Sequence, residues 1–336
     1  MIPARVTVRL ADPDDLAGLA RLWSEAMLGW RQGSWSAAQL MASADRAAAH
    51  VLPGCLADRC VLGVRRRGRW VASAAVDLDD GALLGPFVAP DQQGRGIGRR
   101  LVAEAERRAA AFQLFRLSVF AFRPAIPFFE ACGYAALDGI RPQRNATGLP
   151  GQPLRRHFPR RQTRFGRRVA ALAAELGLPA DYGRRRRLPL QTEARRLASA
   201  GTDIYDRPQR LTPAAAAAWR RLRSAAADEG VHLQLVSAYR SLDYQAGIVR
   251  RKLEQGQPLG QILAVSAAPG FSEHHTGRAL DLTTPGAPVL ETPFETTDAF
   301  AWLQAHAGRF SFRLSYPRDN RHGLAYEPWH WCHVGG

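Results

Sequence analysis

Two segments near the carboxyl end carry the residue types of a hydrolytic metal centre. Residues 272–281 read SEHHTGRALD and residues 326–335 read YEPWHWCHVG. Together they supply histidine, aspartate and histidine, with a glutamate three positions before the last histidine. Catalytic zinc sites draw three protein ligands from such residues and leave one position for water. Zinc lowers the pKa of that water, and a carboxylate beside it can serve as general base. His274 and Asp281 are seven positions apart, which a helix would place on one face. Gly277 between them argues instead for a turn into a strand, Arg278 to Leu282, with Asp281 pointing into the site. A lone histidine is more often a surface or core residue than a ligand, so His275, His322 and His333 are read as structural.

A different chemistry is written at residues 87–100, FVAPDQQGRGIGRR. A strand ends at Ala89 and Pro90, a glycine-rich turn follows, and a helix begins near Gly98. Successive backbone N–H groups at such a turn, backed by a helix N-terminus, form an anion site. Arg95, Arg99 and Arg100 add positive charge. The spacing Gln93-x-x-Gly96-x-Gly98 is not the dinucleotide fingerprint, and the Lys-Ser/Thr of a P-loop is missing. Asp77, Asp79 and Asp80 read as a solvated acidic turn.

This region resembles the GNAT superfamily of N-acetyltransferases. Their pyrophosphate loop has the form Gln/Arg-x-x-Gly-x-Gly/Ala after a strand ending in Val-x-Pro, here Val88-Ala89-Pro90. The resemblance covers roughly residues 5–145 and includes PFFEACGY at 127–134, similar to the family's late helix and turn. It implies acetyl-CoA held at Val88, Gln93, Gly94, Arg95, Gly96, Ile97, Gly98 and Arg99. The acetyl carbonyl would lie against strand amides near Val88, where the sheet splays. Many members carry a tyrosine in the late helix as general acid; the matching residue is Phe129, which cannot donate a proton. Direct attack by a deprotonated amine needs no covalent intermediate, so proximity alone could carry transfer. A degenerate acyl-CoA-binding domain is the alternative.

The carboxy-terminal pattern Ser-x-His-x-x-Gly-x-Ala-x-Asp matches at Ser272, His274, Gly277, Ala279 and Asp281, followed later by Glu327-Pro328-Trp329-His330. It resembles the D-alanyl-D-alanine carboxypeptidases and dipeptidases of the vancomycin-resistance type, which share the LAS metallopeptidase fold. The resemblance covers roughly residues 190–336. It implies zinc held by His274, Asp281 and His330, with Glu327 as general base. LVSAYRSLDYQ at 235–245 matches the family's Ser-x-Tyr-Arg-Ser segment. Arg240 then takes the arginine role of stabilising the oxyanion or binding substrate, which a forked, permanently charged guanidinium suits. Ser272 and Gln245 become candidate substrate contacts. His333 stands where relatives often carry arginine or tyrosine.

The elements that position these residues divide the chain. Residues 1–155 alternate strands and helices as an α/β GNAT-like mixed-sheet domain, with strands at Val6–Leu10, 61–65, 70–78, 83–89 and 115–121 and helices at 13–30, 98–112 and 124–132. Residues 156–190 read as a basic connector, with a short helical pattern at 167–176. Residues 191–336 read as an α+β LAS-type zinc peptidase domain. Its helix starts are Thr212-Pro213 and Ser241, and its strands lie at 232–238, 278–282 and 311–316.

Composition frames the reading. The chain has 336 residues, 46% hydrophobic, enough for two cores. Its formal charge is +16, carried by arginine with one lysine, Lys252. The scatter of the arginines points to a compositional bias, and no aromatic-interleaved motif argues for nucleic acid. Four irregularly spaced cysteines do not suggest a disulfide framework. No apolar run reaches signal-peptide or membrane-spanning length, so the expected compartment is the cytoplasm. The expected activity is a zinc carboxypeptidase acting on peptidoglycan stem peptides or precursors, fused to an acetyl-CoA-dependent N-acetyltransferase of unknown amine acceptor. An L,D-carboxypeptidase or endopeptidase beside a degenerate acyl-CoA domain is the alternative.

Overall fold

The computed structural model describes residues 7–29, 35–137, 140–158 and 163–335. The chain forms two compact units, Met1–Arg160 and Arg161–Gly336. In the first, the strands are β1 (Arg9–Leu10), β2 (Val61–Arg66), β3 (Arg69–Asp77), β4 (Ala82–Val88), β5 (Arg116–Phe122), β6 (Ala135–Ala136), β7 (Gln143–Arg144) and β8 (Pro150–His157). They form one sheet in the order β1-β2-β3-β4-β5-β8-β6, with β7 also on β8. The helices are α1 (Leu16–Leu28), α2 (Ala37–His50), α3 (Leu52–Ala57), α4 (Ile97–Ala111) and α5 (Ile126–Ala131).

Strand alternation splits the apolar residues between the two faces. Val61, Ala75 and Phe87 pack with Trp23, Leu19 and Leu40 of α1 and α2. Leu62, Ala74 and Val76 pack with Leu101, Val102 and Ala105 of α4. The expected strand from Val6 begins outside the described residues; Arg9 and Leu10 form its paired part. Residues 37–57, for which the sequence pattern specified no element, form α2 and α3. Their stripe is mostly alanine, with Leu40 and Ala44 the buried residues of α2, so its periodicity is faint.

β4 and β5 run parallel and are registered at one pair, Ala82 opposite Ser118. Beyond it a cleft opens between them. β4 also slips register against β3 between Ser73 and Ala75. Gly85 makes the slip possible: its φ is +86°, and a Cβ there would lie 2.7 Å from the Phe87 nitrogen and 3.1 Å from the Ser73 oxygen.

The second unit contains α6 (Arg164–Glu175), α7 (Tyr182–Arg185), α8 (Pro213–Asp228), α9 (Leu242–Glu254), α10 (Leu259–Val265) and α11 (Asp298–His306). β9 (Ala198–Thr202) and β10 (Pro208–Leu211) form a hairpin. β11 (Gln234–Ser237), β12 (Ala279–Thr283), β13 (Phe312–Leu314) and β14 (His330–His333) form an antiparallel sheet ordered β11-β12-β14-β13. α8 and α9 start on the expected caps: Thr212 Oγ1 accepts from Ala215 N, with Pro213 at the first position, and Ser241 Oγ accepts from Tyr244 N. Trp219 and Leu222 of α8 are fully buried against Leu280 and Leu282 of β12.

Residues 156–190, expected as a connector, are largely built into the fold. Arg156 and His157 end β8, paired with β5. Val169, Leu176, Leu178, Tyr182 and Leu188 are buried with Leu242, Val249 and Ile262 of α9 and α10. The helical pattern expected at 167–176 is α6, and it packs into the fold because Val169, Leu172 and Leu176 recur every three or four residues.

Candidate functional sites

In the second unit the two chemistry-bearing segments meet on adjacent strands. Asp281 of β12 lies directly opposite His330 of β14, so both side chains project from one face. A 3-10 turn, Glu273–Thr276, carries His274 and ends at Gly277, which has φ +62°. A Cβ on Gly277 would come within 2.9 Å of Leu197, so both conformation and space demand glycine. His274, Asp281 and His330 are all buried, with ligand atoms within 4.8 Å of one another.

The hydrogen bonds fix which atoms face inward. His274 Nδ1 contacts the Ala238 carbonyl at 2.5 Å and must donate to it. Its Nε2 is therefore a lone pair, buried without a hydrogen-bond partner and 3.1 Å from Asp281 Oδ2. His330 Nε2 lies 3.2 Å from Glu273 Oε2 and Nδ1 lies 3.0 Å from Asp281 Oδ1. With Nε2–H given to Glu273, Nδ1 is the second inward nitrogen, one that holds a proton toward Asp281 or offers a lone pair once that proton leaves. Two imidazole lone pairs facing a carboxylate are repulsive unless a proton or cation lies among them. The donor set thus fits a divalent metal such as zinc.

The charges agree. Burial, with Arg240 beside it, pushes the His274 imidazolium down to about 4. Burial also disfavours charge on His330, but hydrogen bonds to Asp281 and Glu273 outweigh it and raise it to about 10. Against burial, His274, His330 and Arg240 hold Asp281 well below the usual carboxylate range. Glu327 is 3.7 Å from His330 Nδ1, and burial raises its carboxyl to about 7. The Arg240 guanidinium reaches Asp281 Oδ2 at 3.4 Å, and its buried Nε has no hydrogen-bond partner.

The remaining candidates lie nearby in sequence but differ in role. Gln245 is buried in α9; its Nε2 donates to Ser266 Oγ and the Ala267 carbonyl, and its Oε1 is unpartnered. Ser272 is buried at the start of the 3-10 turn, its carbonyl accepting from His275 N. His275 is structural: Gly270 N–H donates to Nε2, which leaves Nδ1–H for the Arg240 carbonyl. Sequence reasoning missed Glu273, whose carboxylate also accepts from Ser315 Oγ at 2.5 Å and Arg313 at 3.2 Å. Its adjacency to His274 is its one sequence signal; its partner His330 is 57 positions away.

In the first unit a cleft of about 730 Å³ opens between β4 and β5. Val88, Gln93, Gly94, Gly96, Ile97, Gly98 and Arg99 all line it. Arg95 does not: its guanidinium turns back to the Asp91 carbonyl at 3.2 Å. Gly94 and Gly96 have φ of +72° and +74°, and a Cβ on either would meet no atom within 4 Å. The turn therefore leaves room beside its backbone at the start of α4, where free N–H groups favour an anion. A Cβ on Gly98 would lie 3.3–3.4 Å from Phe128 and Pro86. Phe129 is buried and edge-on to Phe128 and Tyr134.

Comparison with known proteins agrees with this division. Residues 208–336 match the D-alanyl-D-alanine carboxypeptidase (VanY) family, and residues 24–134 match the acetyltransferase (GNAT) family. YodJ of Bacillus subtilis is 35% identical over 129 residues, covering 36% of this chain and 45% of YodJ. The bifunctional D-Ala-D-Ala dipeptidase and D-Ala-D-Ala carboxypeptidase VanXYC of Enterococcus gallinarum is 30% identical over 138 residues, covering 40% of this chain and 69% of VanXYC. The chain thus spans less than half the length of the first of these relatives. A GCN5-related N-acetyltransferase structure from Rhodopseudomonas palustris is 22% identical, covers 47% of this chain and 99% of its own, and superposes with a TM-score of 0.41.

Proposed function

This chain belongs to the D-alanyl-D-alanine carboxypeptidase family through its carboxy-terminal unit and carries a GNAT domain before it, and from that premise we propose a zinc carboxypeptidase that releases the terminal D-alanine of peptidoglycan stem peptides. The observation that carries the reading is the pair of inward-facing nitrogens, His274 Nε2 and His330 Nδ1, closing on Asp281. These three residues would hold zinc, which when bound supplies Lewis acidity toward water and a carbonyl oxygen.

The chain's own groups then divide the work. Glu327, its carboxyl raised to about 7 by burial, would take a proton from the attacking water and return it to the departing amine. Arg240, with a free Nε, offers donors to the substrate carboxylate or the developing oxyanion. Gln245 Oε1 and the Ser272 hydroxyl are candidate partners for the peptide. Glu273 orients His330 so that Nδ1 faces inward. In the first unit, the glycine turn and α4 would hold the acetyl-CoA pyrophosphate at backbone N–H groups, for transfer of the acetyl group to an amine.

Mass spectrometry of defined muropeptides tests the peptidase. Loss of one D-alanine from a pentapeptide, with the tetrapeptide untouched, supports it. Loss from the tetrapeptide alone would replace it with an L,D-carboxypeptidase, and internal cleavage with an endopeptidase.

A further inference from the structure

The cleft of the first unit is chemically lopsided. Arg99, at the start of α4, is the one charged side chain among its described lining residues. Apart from Ser43, Gln92, Gln93 and Asn145 the described wall is apolar, with Met27, Ala44, Ala47, Leu84, Phe120 and Phe122. Phe120 and Phe122 meet edge-on at 5.7 Å. Most polar groups there are engaged within the fold: Asn145 Nδ2 donates to Ser43 Oγ, Asn145 Oδ1 accepts from Thr147 N and Leu149 N, and Gln93 Nε2 donates to the Val88 carbonyl, while Gln92 Oε1 is a neutral acceptor buried without a hydrogen-bond partner. No carboxylate or imidazole lines the cleft among the described residues.

That lining discriminates among amines. An ammonium brought against it loses water and finds no counter-charge, which is costly. Nothing described in the cleft can remove its proton either, so the amine must arrive as the free base. A peptide α-amine of pKa about 7.8 is roughly one-third free base at pH 7.5, whereas a lysine ε-amine of pKa about 10.4 is only about 0.1%. The difference is about 300-fold before any contact is counted. An aromatic or aliphatic side chain on that α-amine then has an apolar wall to cover.

Resting on the acyl-CoA reading above, we infer that the acceptor is an apolar α-amine: the amino terminus of a peptide or amide whose first side chain is aromatic or aliphatic. The same described wall disfavours polyamines and lysine side chains through their charge, and amino sugars through their hydroxyl groups. In the reaction the α-nitrogen attacks the thioester carbonyl. The N–C bond forms and the C–S bond breaks. The nitrogen loses its proton to solvent, and the coenzyme thiolate takes one from solvent.

The test offers the full chain acetyl-CoA with phenylalaninamide, leucinamide, glycinamide, Nα-acetyl-lysinamide, spermidine and glucosamine. Thiol release and product mass are followed. Phenylalaninamide and leucinamide should exceed Nα-acetyl-lysinamide by at least about 100-fold in kcat/KM. They should exceed glycinamide, which has no side chain to bury, by about 10-fold or more. The acid limb of the rate should move with the pKa of the amine supplied. Ala47→Asp, which adds a carboxylate to the wall, should depress leucinamide turnover and favour spermidine. Spermidine or glucosamine as the best acceptor of the unaltered protein overturns the inference. So does preference for octanoyl-CoA over acetyl-CoA, which would assign the aromatic wall to the acyl chain. So does a protein whose melting temperature rises with acetyl-CoA yet acetylates no neutral apolar amine. If acetyl-CoA gives no such rise, the acyl-CoA reading itself fails.

Discussion

The two sites of this chain are built on opposite principles. The centre between β12 and β14 is made of side chains: buried charges and imidazoles, each oriented by a partner. The cleft between β4 and β5 is made of backbone and apolar surface, with Arg99 its one charged lining side chain among the described residues. The first can move protons. The second can only hold, orient and exclude water. Substitutions that remove a functional group should therefore cripple the first and spare the second, whereas those that add bulk to a glycine should do the reverse.

The sharpest break is expected at Glu327. Glu327→Gln keeps the shape and the metal but removes the base, so peptidase turnover should fall at least about 100-fold with zinc content unchanged. His330→Ala should lose both, and zinc analysis separates the two variants. Near-wild-type turnover in Glu327→Gln would mean that this centre does not work through its side-chain base.

A smaller effect is expected one step back, at Glu273. Glu273→Gln leaves Ser315 and His330 with a weaker, neutral acceptor, and should weaken zinc binding by about 10–100-fold. Competitive chelation measures it, and an unchanged affinity would show that His330 needs no orienting carboxylate.

Much of this contrast was legible in the sequence. His274, Gly277, Asp281, Glu327 and His330 lie in two short segments whose spacing reads as a turn, a strand and a second strand. The Gln93–Gly98 turn was equally local. Glu273 was hidden because its role depends on β12 and β14 pairing, which no local pattern states. The fate of residues 164–188 was hidden for another reason: the helical pattern at 167–176 was legible, but its partners Leu242, Val249 and Ile262 lie far along the chain, and the surrounding arginines read as a solvated connector.

In the first unit the prediction inverts. Gly96 has φ +74°, so Gly96→Asp strains the turn and sets bulk and negative charge where the pyrophosphate would lie. Acetyl-CoA at 100 times its Kd should stabilise the wild type by about 2.7 kcal/mol. The variant should show almost none of that shift in a melting curve. An equal shift in both would move the cofactor elsewhere.

The pH dependence of zinc binding sharpens the first site further. His330 is raised to about 10 by Asp281 and Glu273, so at pH 7 it carries a proton that the metal must displace. A ligand must be deprotonated to bind, so affinity falls as pH falls. One displaced proton predicts about a tenfold rise in affinity per pH unit between roughly pH 7 and 9, with about one proton released on binding. A flat profile there would mean that His330 is neutral in the metal-free protein.

The smallest expected effect tests whether the cleft's arginines matter as charges or as parts of the wall. Arg95, between Gly94 and Gly96, and Arg99, after Gly98, belong to the same glycine-rich segment and look equivalent in sequence. Arg99 lines the cleft; Arg95 is folded back on the Asp91 carbonyl, outside the lining. An exposed side chain with one backbone hydrogen bond contributes little, so Arg95→Ala should change stability and acetyl-CoA affinity by no more than about 0.5 kcal/mol, little over twofold. Arg99→Ala removes the one cation of the described lining and should weaken acetyl-CoA binding several times more, increasingly so at low salt. Calorimetric titration of both variants at two salt concentrations decides. Equal losses would mean that the turn attracts its ligand by general positive charge. A loss confined to Arg99 supports a cradle in which the backbone does the holding and a single cation finishes it.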